Sequence, residues 1–300
     1  MDSRSTSDDL STRRQRLEAD LRGLERVLVA FSGGVDSAFL VAATHGAGIP
    51  YLAVTATSLT MPARDLADAL ALVTRFGWNH RLIDSGEMAD PAFTRNAPDR
   101  CFHCKNELFG RLTELAAQEG FAHVLDGTTL DDLNDYRPGM QAKQRHAVVS
   151  PLLGAGLSKA DVRALSRAAG LPTWDKPASP CLSSRIPYGE PIIPESLRMV
   201  EAAENGLRAL GFATLRVRKQ GQTARIELPV AQIPRLLDGP LRQEVIRLVR
   251  DCGFGFVTLD LEGFSSGKLN RVIPLVQRGP AGSSPSDSGA PSVAPPSSDR

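Results

Sequence analysis

The run Phe31-Ser32-Gly33-Gly34-Val35-Asp36-Ser37 places two glycines, two hydroxyls and a carboxylate within a few residues. It follows Arg26–Phe31, an apolar run that reads as a buried strand, and precedes a helical pattern starting at Ala38 and reaching His45. Glycines allow a tight turn and a close approach of backbone to ligand. The start of a helix presents free N–H groups and the positive end of its dipole. Together these make a nest for phosphate oxygens, with the Ser32 and Ser37 hydroxyls as further donors. Asp36 is an anion in an anion site, which makes sense if it orients the loop or meets a Mg²⁺ ion carried by the phosphates. No Gly-Lys-Ser/Thr follows and G-x-G-x-x-G is absent, so neither common nucleotide loop is present. Gly263–Lys268 is one residue short of the first of these, and Leu269 follows it.

Three further blocks carry reactive groups. In Asp99-Arg100-Cys101-Phe102-His103-Cys104-Lys105 a C-x-x-C pair suits zinc, redox chemistry or part of an iron–sulfur cluster. No second such pair exists, so a closed zinc site would need two more ligands. The segment Lys176–Gly189 is rich in Pro, Ser and Gly and reads as a loop. Its Cys181 has Lys176 and Arg185 nearby, and cations lower the pKa of a thiol. The segment Leu125–Gly139 follows an apolar run, and its Asp131, Asp132 and Asp135 could hold Mg²⁺ through oxygen ligands, Asp131 and Asp135 being the primary candidates. Cys252, in an Asp-Cys-Gly turn, reads as structural.

Positioning these blocks requires a scaffold, and the apolar pattern supplies one. Strands are expected at Arg26–Phe31, Tyr51–Thr57, Trp78–Asp84 and His123–Gly127. Helices are expected at Pro62–Phe76, Asn106–Gln118 and Ser158–Ala169, the last opened by a capping box of Ser158 and Asp161. Strands alternating with helices imply an α/β fold, a parallel sheet covered on both faces. Ligands of such sheets bind at the carboxyl ends of the strands, where the glycine loop, Thr57 and Gly127 lie. Beyond Pro187 the pattern changes. A helix at Glu195–Leu210, a hairpin of Leu215–Arg218 and Ala224–Leu228, a helix at Leu241–Val249 and a strand at Phe256–Leu261 describe a smaller α+β domain. Arg216 and Arg218 are two apart on a strand and share a face, a pairing suited to a phosphate or carboxylate. The expected organisation is a disordered lead at 1–12, a nucleotide domain at 13–187, the small domain at 188–278, and a disordered Pro/Ser/Gly tail at 279–300.

The run SGGVDS on a strand–loop–helix frame resembles the PP-loop ATP pyrophosphatases, which cleave ATP to AMP and pyrophosphate while adenylylating a substrate oxygen. With R-C-x-x-C-K, G-T-x-L-D-D-L-x-D-Y-R-P-G and C-L-x-S-R-I-P-Y-G following in order, the chain is similar, across nearly all of 13–278, to the LarE-type ATP-dependent sulfur transferases. Those enzymes act in the biosynthesis of the nickel-pincer nucleotide of lactate racemase. The resemblance implies a pyridinium dicarboxylate mononucleotide as substrate, a carboxylate activated by ATP·Mg²⁺, and sulfur displacing AMP. It implies ATP contacts from Ser32, Gly33, Gly34, Asp36, Ser37, Thr57 and Gly127. It places Cys181 where single-cysteine members give up their own sulfur and become dehydroalanine. Lys105 and Arg185 become candidate cations for developing negative charge. Cys101 and Cys104 match members with three cysteines, which implies a [4Fe–4S] cluster on Cys101, Cys104 and Cys181 with one iron open to carry sulfide. An arginine expected after Phe264 is replaced by Ser265, which removes one expected phosphate contact.

Composition limits the alternatives. The chain has 300 residues, 42% apolar and 23% charged, with a net charge of +1. That balance, beside an acidic loop, argues against nucleic acid and so against the tRNA-thiolating relatives. An ammonia-using amide synthetase would leave three cysteines without a role, and a nucleotide sensor would bind ATP without turnover. The polar N-terminus has no apolar h-region, and no apolar stretch reaches the roughly 18 residues of a membrane span. A cytoplasmic homo-oligomer that contacts no membrane is the expectation.

Overall fold

The computed structural model describes residues 3–134 and 139–265, with Lys268 and Arg271. Four strands, β1 (Val27–Ala30), β2 (Tyr51–Thr57), β3 (His80–Asp84) and β4 (His123–Leu125), form a parallel sheet of order β3-β2-β1-β4. Side chains alternate between the faces of a strand. Val27 and Val29 accordingly enter one core with Leu17, Leu40 and Leu165, while Leu28 between them enters a second with Phe109 and Leu112. A sheet buried on both faces needs continuous apolar strands, and VLVA is one.

Helices α1 (Ser3–Arg22), α2 (Val35–Ala47), α3 (Ala63–Phe76), α4 (Arg100–Glu119) and α5 (Lys159–Ala168) surround this sheet. The lead expected to lack structure is helical from Ser3. Leu17 and Leu21 are fully buried, Asp9–Arg13 and Arg14–Glu18 pair one turn apart, and Arg13 reaches Asp161 at 2.6 Å. The capping box of α5 forms as expected: the Asp161 amide donates to the Ser158 hydroxyl (3.2 Å) and the Ser158 amide donates back to the Asp161 carboxylate (2.9 Å). Helix α4 begins six residues earlier than its apolar pattern suggests, which puts the C-x-x-C pair on its first turn.

The second unit contains α6 (Pro194–Ala209), α7 (Gly239–Asp251), the hairpin β5 (Arg216–Gln220) and β6 (Thr223–Glu227), and β7 (Phe256–Leu259) parallel to β6. Its core includes Phe93, Leu182 and Ile186, so the segment after Cys181 packs on this unit ahead of residue 188. The Glu201 carboxylate of α6 accepts the Ala63 amide at 2.6 Å and caps α3 across the junction. Among the described residues no helix is long and apolar enough to cross a membrane. The tail at 279–300 lies outside the described residues.

Candidate active site

The glycine loop closes on itself at the end of β1. Gly33 has φ +72°, and a Cβ there would lie 2.7 Å from the Ala69 Cβ of α3, so both backbone and space require glycine. The Ser32 amide donates to the Ser37 hydroxyl (3.2 Å), which donates to the Gly34 carbonyl (3.3 Å). Gly127, just past β4, comes so close that a Cβ would stand 3.0 Å from the Ser37 amide nitrogen. Strand order reverses between β1 and β4, and the two loops meet in the crevice beyond their carboxyl ends.

A cavity of about 420 Å³ opens there, within the range of small-molecule sites. Its wall includes Ser32, Asp36 and Ser37 from the glycine loop, Thr55 and Thr60 beside it, Asp126, Gly127, Thr128 and Asp132 beyond β4, and Lys105, Lys159 and Cys181. Lys105 makes no hydrogen bond or ion pair among the described residues. Its ammonium lies 5.4 Å from the Phe109 ring centre and faces the cavity as an available cation. Lys143, from a short helix at Gly139–Arg145, is buried beneath the floor. It donates to the Thr128 and Ser150 hydroxyls (both 2.7 Å) and pairs with Asp126 at 3.1 Å. A single lysine in a polar stretch of sequence gave no signal for that role.

The acidic loop differs from expectation. Asp131 is exposed, accepts the Lys159 amide at 2.6 Å as a cap for α5, and does not line the cavity. Neighbouring Asp132 is buried, accepts the Thr129 amide at 2.9 Å and lines the cavity. The turn Leu130–Asn134 is a tight 3₁₀ turn, in which adjacent side chains diverge. Asp135 lies outside the described residues. Thr57 donates to the Ile83 carbonyl (3.1 Å) and does not line the cavity; Thr55 does, its hydroxyl donating to the Phe31 carbonyl at 2.7 Å.

Cys101 and Cys104, three apart on α4, share a helix face with one another, and exposed Cys181 lines the cavity. The three thiols share one electrostatic neighbourhood. Burial, then Cys181, pushes Cys104 up to about 12, and burial and Cys181 also raise Cys101 against the pull of Arg100. Cys252 packs against the core of the second unit, which Cys104 also touches.

The chain is 40% identical over 270 residues to the pyridinium-3,5-bisthiocarboxylic acid mononucleotide synthase of Lactiplantibacillus plantarum, covering 89% of this chain and 97% of that one. The chain belongs to the LarE-type ATP-dependent sulfur transferases. An uncharacterised protein of Synechocystis, slr1717, is 44% identical over 88% of this chain and 99% of its own. The nicotinamide mononucleotide synthetase of Francisella tularensis superposes with a TM-score of 0.48 at 22% identity, over 57% of this chain and 75% of that one. No family model matches the chain.

In this family member the loop bearing Cys181 is fastened on all sides. The Leu182 amide donates to the Thr60 carbonyl (2.7 Å), Ser179 donates to Asp65 (2.5 Å), and Arg163 donates to the Lys176 carbonyl (2.9 Å). Arg185, expected to face the reaction as a cation, is 2% exposed and fully engaged. It grips Glu204 through two bonds (2.8 and 3.0 Å) and donates to the Pro180 and Cys181 carbonyls (2.5 and 3.1 Å). It positions the loop instead. Burial would raise Glu204, but Arg185 and Arg208 hold its carboxyl below the usual range. Asn96, fully buried at φ +59°, donates to the Pro187 and Glu190 carbonyls (2.7 and 2.8 Å) and so ties down the turn after Ile186. Asparagine's tolerance of left-handed backbone was the available signal. The arginine pair splits. Arg218 is held by Glu227 (3.0 and 3.1 Å), whereas the side chain of Arg216, a residue 6% exposed, makes no hydrogen bond or ion pair among the described residues. Its guanidinium stacks 4.8 Å from the Phe264 ring centre, and burial, then Arg218 and Arg185, lower its pKa to about 10.

Proposed function

We propose that this enzyme adenylylates a carboxylate of a pyridinium dicarboxylate mononucleotide and converts it to a thiocarboxylate for nickel-pincer nucleotide synthesis. The observation that carries the reading is that Cys181 lines the same cavity as the phosphate loop Ser32–Ser37. The Lactiplantibacillus relative, named for a bisthiocarboxylic mononucleotide product, supports the substrate class.

ATP binds with its phosphates on Ser32–Ser37, where backbone N–H groups and the α2 dipole neutralise charge. Mg²⁺ needs one or two carboxylates besides the phosphates; Asp36, Asp65, Asp126 and Asp132 are the acids at the cavity, and Asp65 is already engaged by Ser179 and Lys176. A carboxylate oxygen of the substrate attacks the α-phosphorus and pyrophosphate leaves. Sulfur then attacks the carbonyl carbon of the mixed anhydride, the C–O bond breaks, and AMP leaves with the thiocarboxylate formed. Lys105 stabilises the negative charge on the reacting oxygens. Arg216, a cation with no direct ion pair among the described residues, takes the substrate's phosphate or second carboxylate.

The sulfur arrives at Cys181. Among the described residues no three His, Cys, Asp or Glu side chains close around a single metal ion. A cluster spans more than one ion, and the donor set of Cys101, Cys104 and Cys181 fits a [4Fe–4S] cluster with one iron left open. Such a cluster, when bound, would carry an exchangeable sulfide and make the enzyme catalytic. Loading it must displace the proton of Cys104, which the metal-free protein holds firmly. Without a cluster, the Cys181 thiolate attacks the anhydride itself; loss of its α-proton then breaks its Cβ–S bond, leaving dehydroalanine. All four cysteines are free thiols, which suits a cytoplasmic setting.

The test is to supply ATP, Mg²⁺, sulfide and the dicarboxylate mononucleotide and follow thiocarboxylate by mass spectrometry. Wild type forms thiocarboxylate, AMP and pyrophosphate together, and Cys181→Ala forms no thiocarboxylate. Full sulfur transfer by Cys181→Ala would overturn the reading.

A further inference from the structure

Glu87 is a buried carboxylate that the reaction above does not use. It is 2% exposed, opens the 3₁₀ turn Glu87–Ala89 after β3, and has no ion pair among the described residues. Its partners are hydroxyls. Thr60 donates to one carboxylate oxygen at 2.9 Å, Ser58 donates to the same oxygen, and Ser85 donates to the other. Thr60 and Ser85 are themselves buried. A buried carboxylate without a cation is costly unless hydrogen-bonded, and here three hydroxyls are recruited to it from two loops.

These bonds fix the backbone of a strap. The Ser58 hydroxyl also accepts the Thr60 amide at 3.0 Å and lies 2.8 Å from the Thr60 hydroxyl, so residues 58–60 have one arrangement around Glu87. The Thr60 carbonyl accepts the Leu182 amide at 2.7 Å, one residue past Cys181, and Thr60 and Met61 are part of the cavity wall. The Cys104 thiol lies within electrostatic reach of the same carboxylate.

We infer that Glu87 is a positioning residue for sulfur delivery, holding the Ser58–Thr60 strap to which the Cys181 loop is hydrogen-bonded. The inference rests on Cys181 as the point of sulfur delivery. It separates the two half-reactions. The hydrogen bonds that close the phosphate loop join Ser32, Gly34 and Ser37 and involve no residue of the strap, so adenylylation is expected to proceed without Glu87. A displaced Cys181 loop then leaves the anhydride to water, which attacks the carbonyl carbon and returns carboxylate and AMP.

The experiment measures substrate-dependent pyrophosphate release and thiocarboxylate formation in parallel for wild type, Glu87→Ala, Glu87→Gln, Ser85→Ala and Cys181→Ala. In Glu87→Ala the sulfur transferred per pyrophosphate falls roughly 10- to 100-fold, the scale of a small misplacement at a reacting centre. Glu87→Gln keeps an acceptor for Ser58 and Thr60 and restores most of that ratio. Ser85→Ala lies between, and it decides the question should Glu87→Ala fail to fold. An unchanged ratio in Glu87→Ala and Ser85→Ala, or equal loss of both activities, overturns the inference. If that occurs while Cys181→Ala is inactive in transfer, the inference fails alone; full transfer by Cys181→Ala removes its basis as well.

Discussion

Replacing Glu204 with Gln should unfasten the loop that carries Cys181. Glu204 is 1% exposed and accepts four bonds: two from Arg185, one from Arg208 at 2.8 Å, and one from the Val217 amide at 3.1 Å. Glutamine keeps the shape but leaves the buried Arg185 guanidinium uncompensated, and removing one partner of a buried pair costs about 3–5 kcal/mol. For a chain of this size that corresponds to a fall of roughly 5–8 °C in melting midpoint. The loss must depend on pH with a definite sign. The folded-state pKa of Glu204 lies below its ordinary 4.5, so its contribution is fully present above that value and disappears as pH falls through the folded pKa. Urea unfolding of wild type and Glu204→Gln should therefore differ most near neutrality and converge in acid. Equal stability at neutral pH, or a difference that does not shrink in acid, would refute the reasoning.

Gly33→Ala forces a side chain into left-handed backbone against Ala69, and it should abolish substrate-dependent pyrophosphate release while leaving a folded protein by circular dichroism. Asp131→Asn should leave the Mg²⁺ dependence of pyrophosphate release unchanged, whereas Asp132→Asn should raise the Mg²⁺ requirement, because only the second acid reaches the cavity. In metal-free protein at mildly alkaline pH, exposed Cys181 should react with iodoacetamide well before Cys104, whose thiol is held at about 12; peptide mapping reads the order, and faster labelling of Cys104 would contradict the geometry.

Much of the scaffold was legible because period and punctuation agree. The strands at 27–30 and 51–57, the capping box at Ser158, and the turn at Gly221 all announce themselves by local chemistry. The glycine loop was legible for the same reason, since its residues answer to a backbone shape. What failed was side-chain assignment in clusters of like residues. Asp131 and Asp132 are adjacent acids, and only the turn geometry decides which one faces the cavity. Arg185 and Arg216 are both basic, yet one is paired directly with Glu204 and the other has no direct ion pair among the described residues, a difference set by α6 and β5 folding together. Glu87 gave no pattern because Ser58 and Thr60, two of its three partners, lie on another loop, and Asn96 offered only its tolerance of left-handed backbone. Helix α1 was missed because its polar surface resembles a solvated lead; burial of Leu17 and Leu21 and the Arg13–Asp161 pair make it part of the fold.

The most direct test of the account is to purify the enzyme without oxygen, assay iron and acid-labile sulfide, and weigh the peptide containing Cys181 after repeated turnover. The account predicts about four irons per chain, lost in Cys101→Ala, with the mass of residue 181 unchanged while thiocarboxylate accumulates beyond one per chain. A chain that holds no iron after reconstitution, stops after one turnover and has lost the elements of hydrogen sulfide at Cys181 would contradict it.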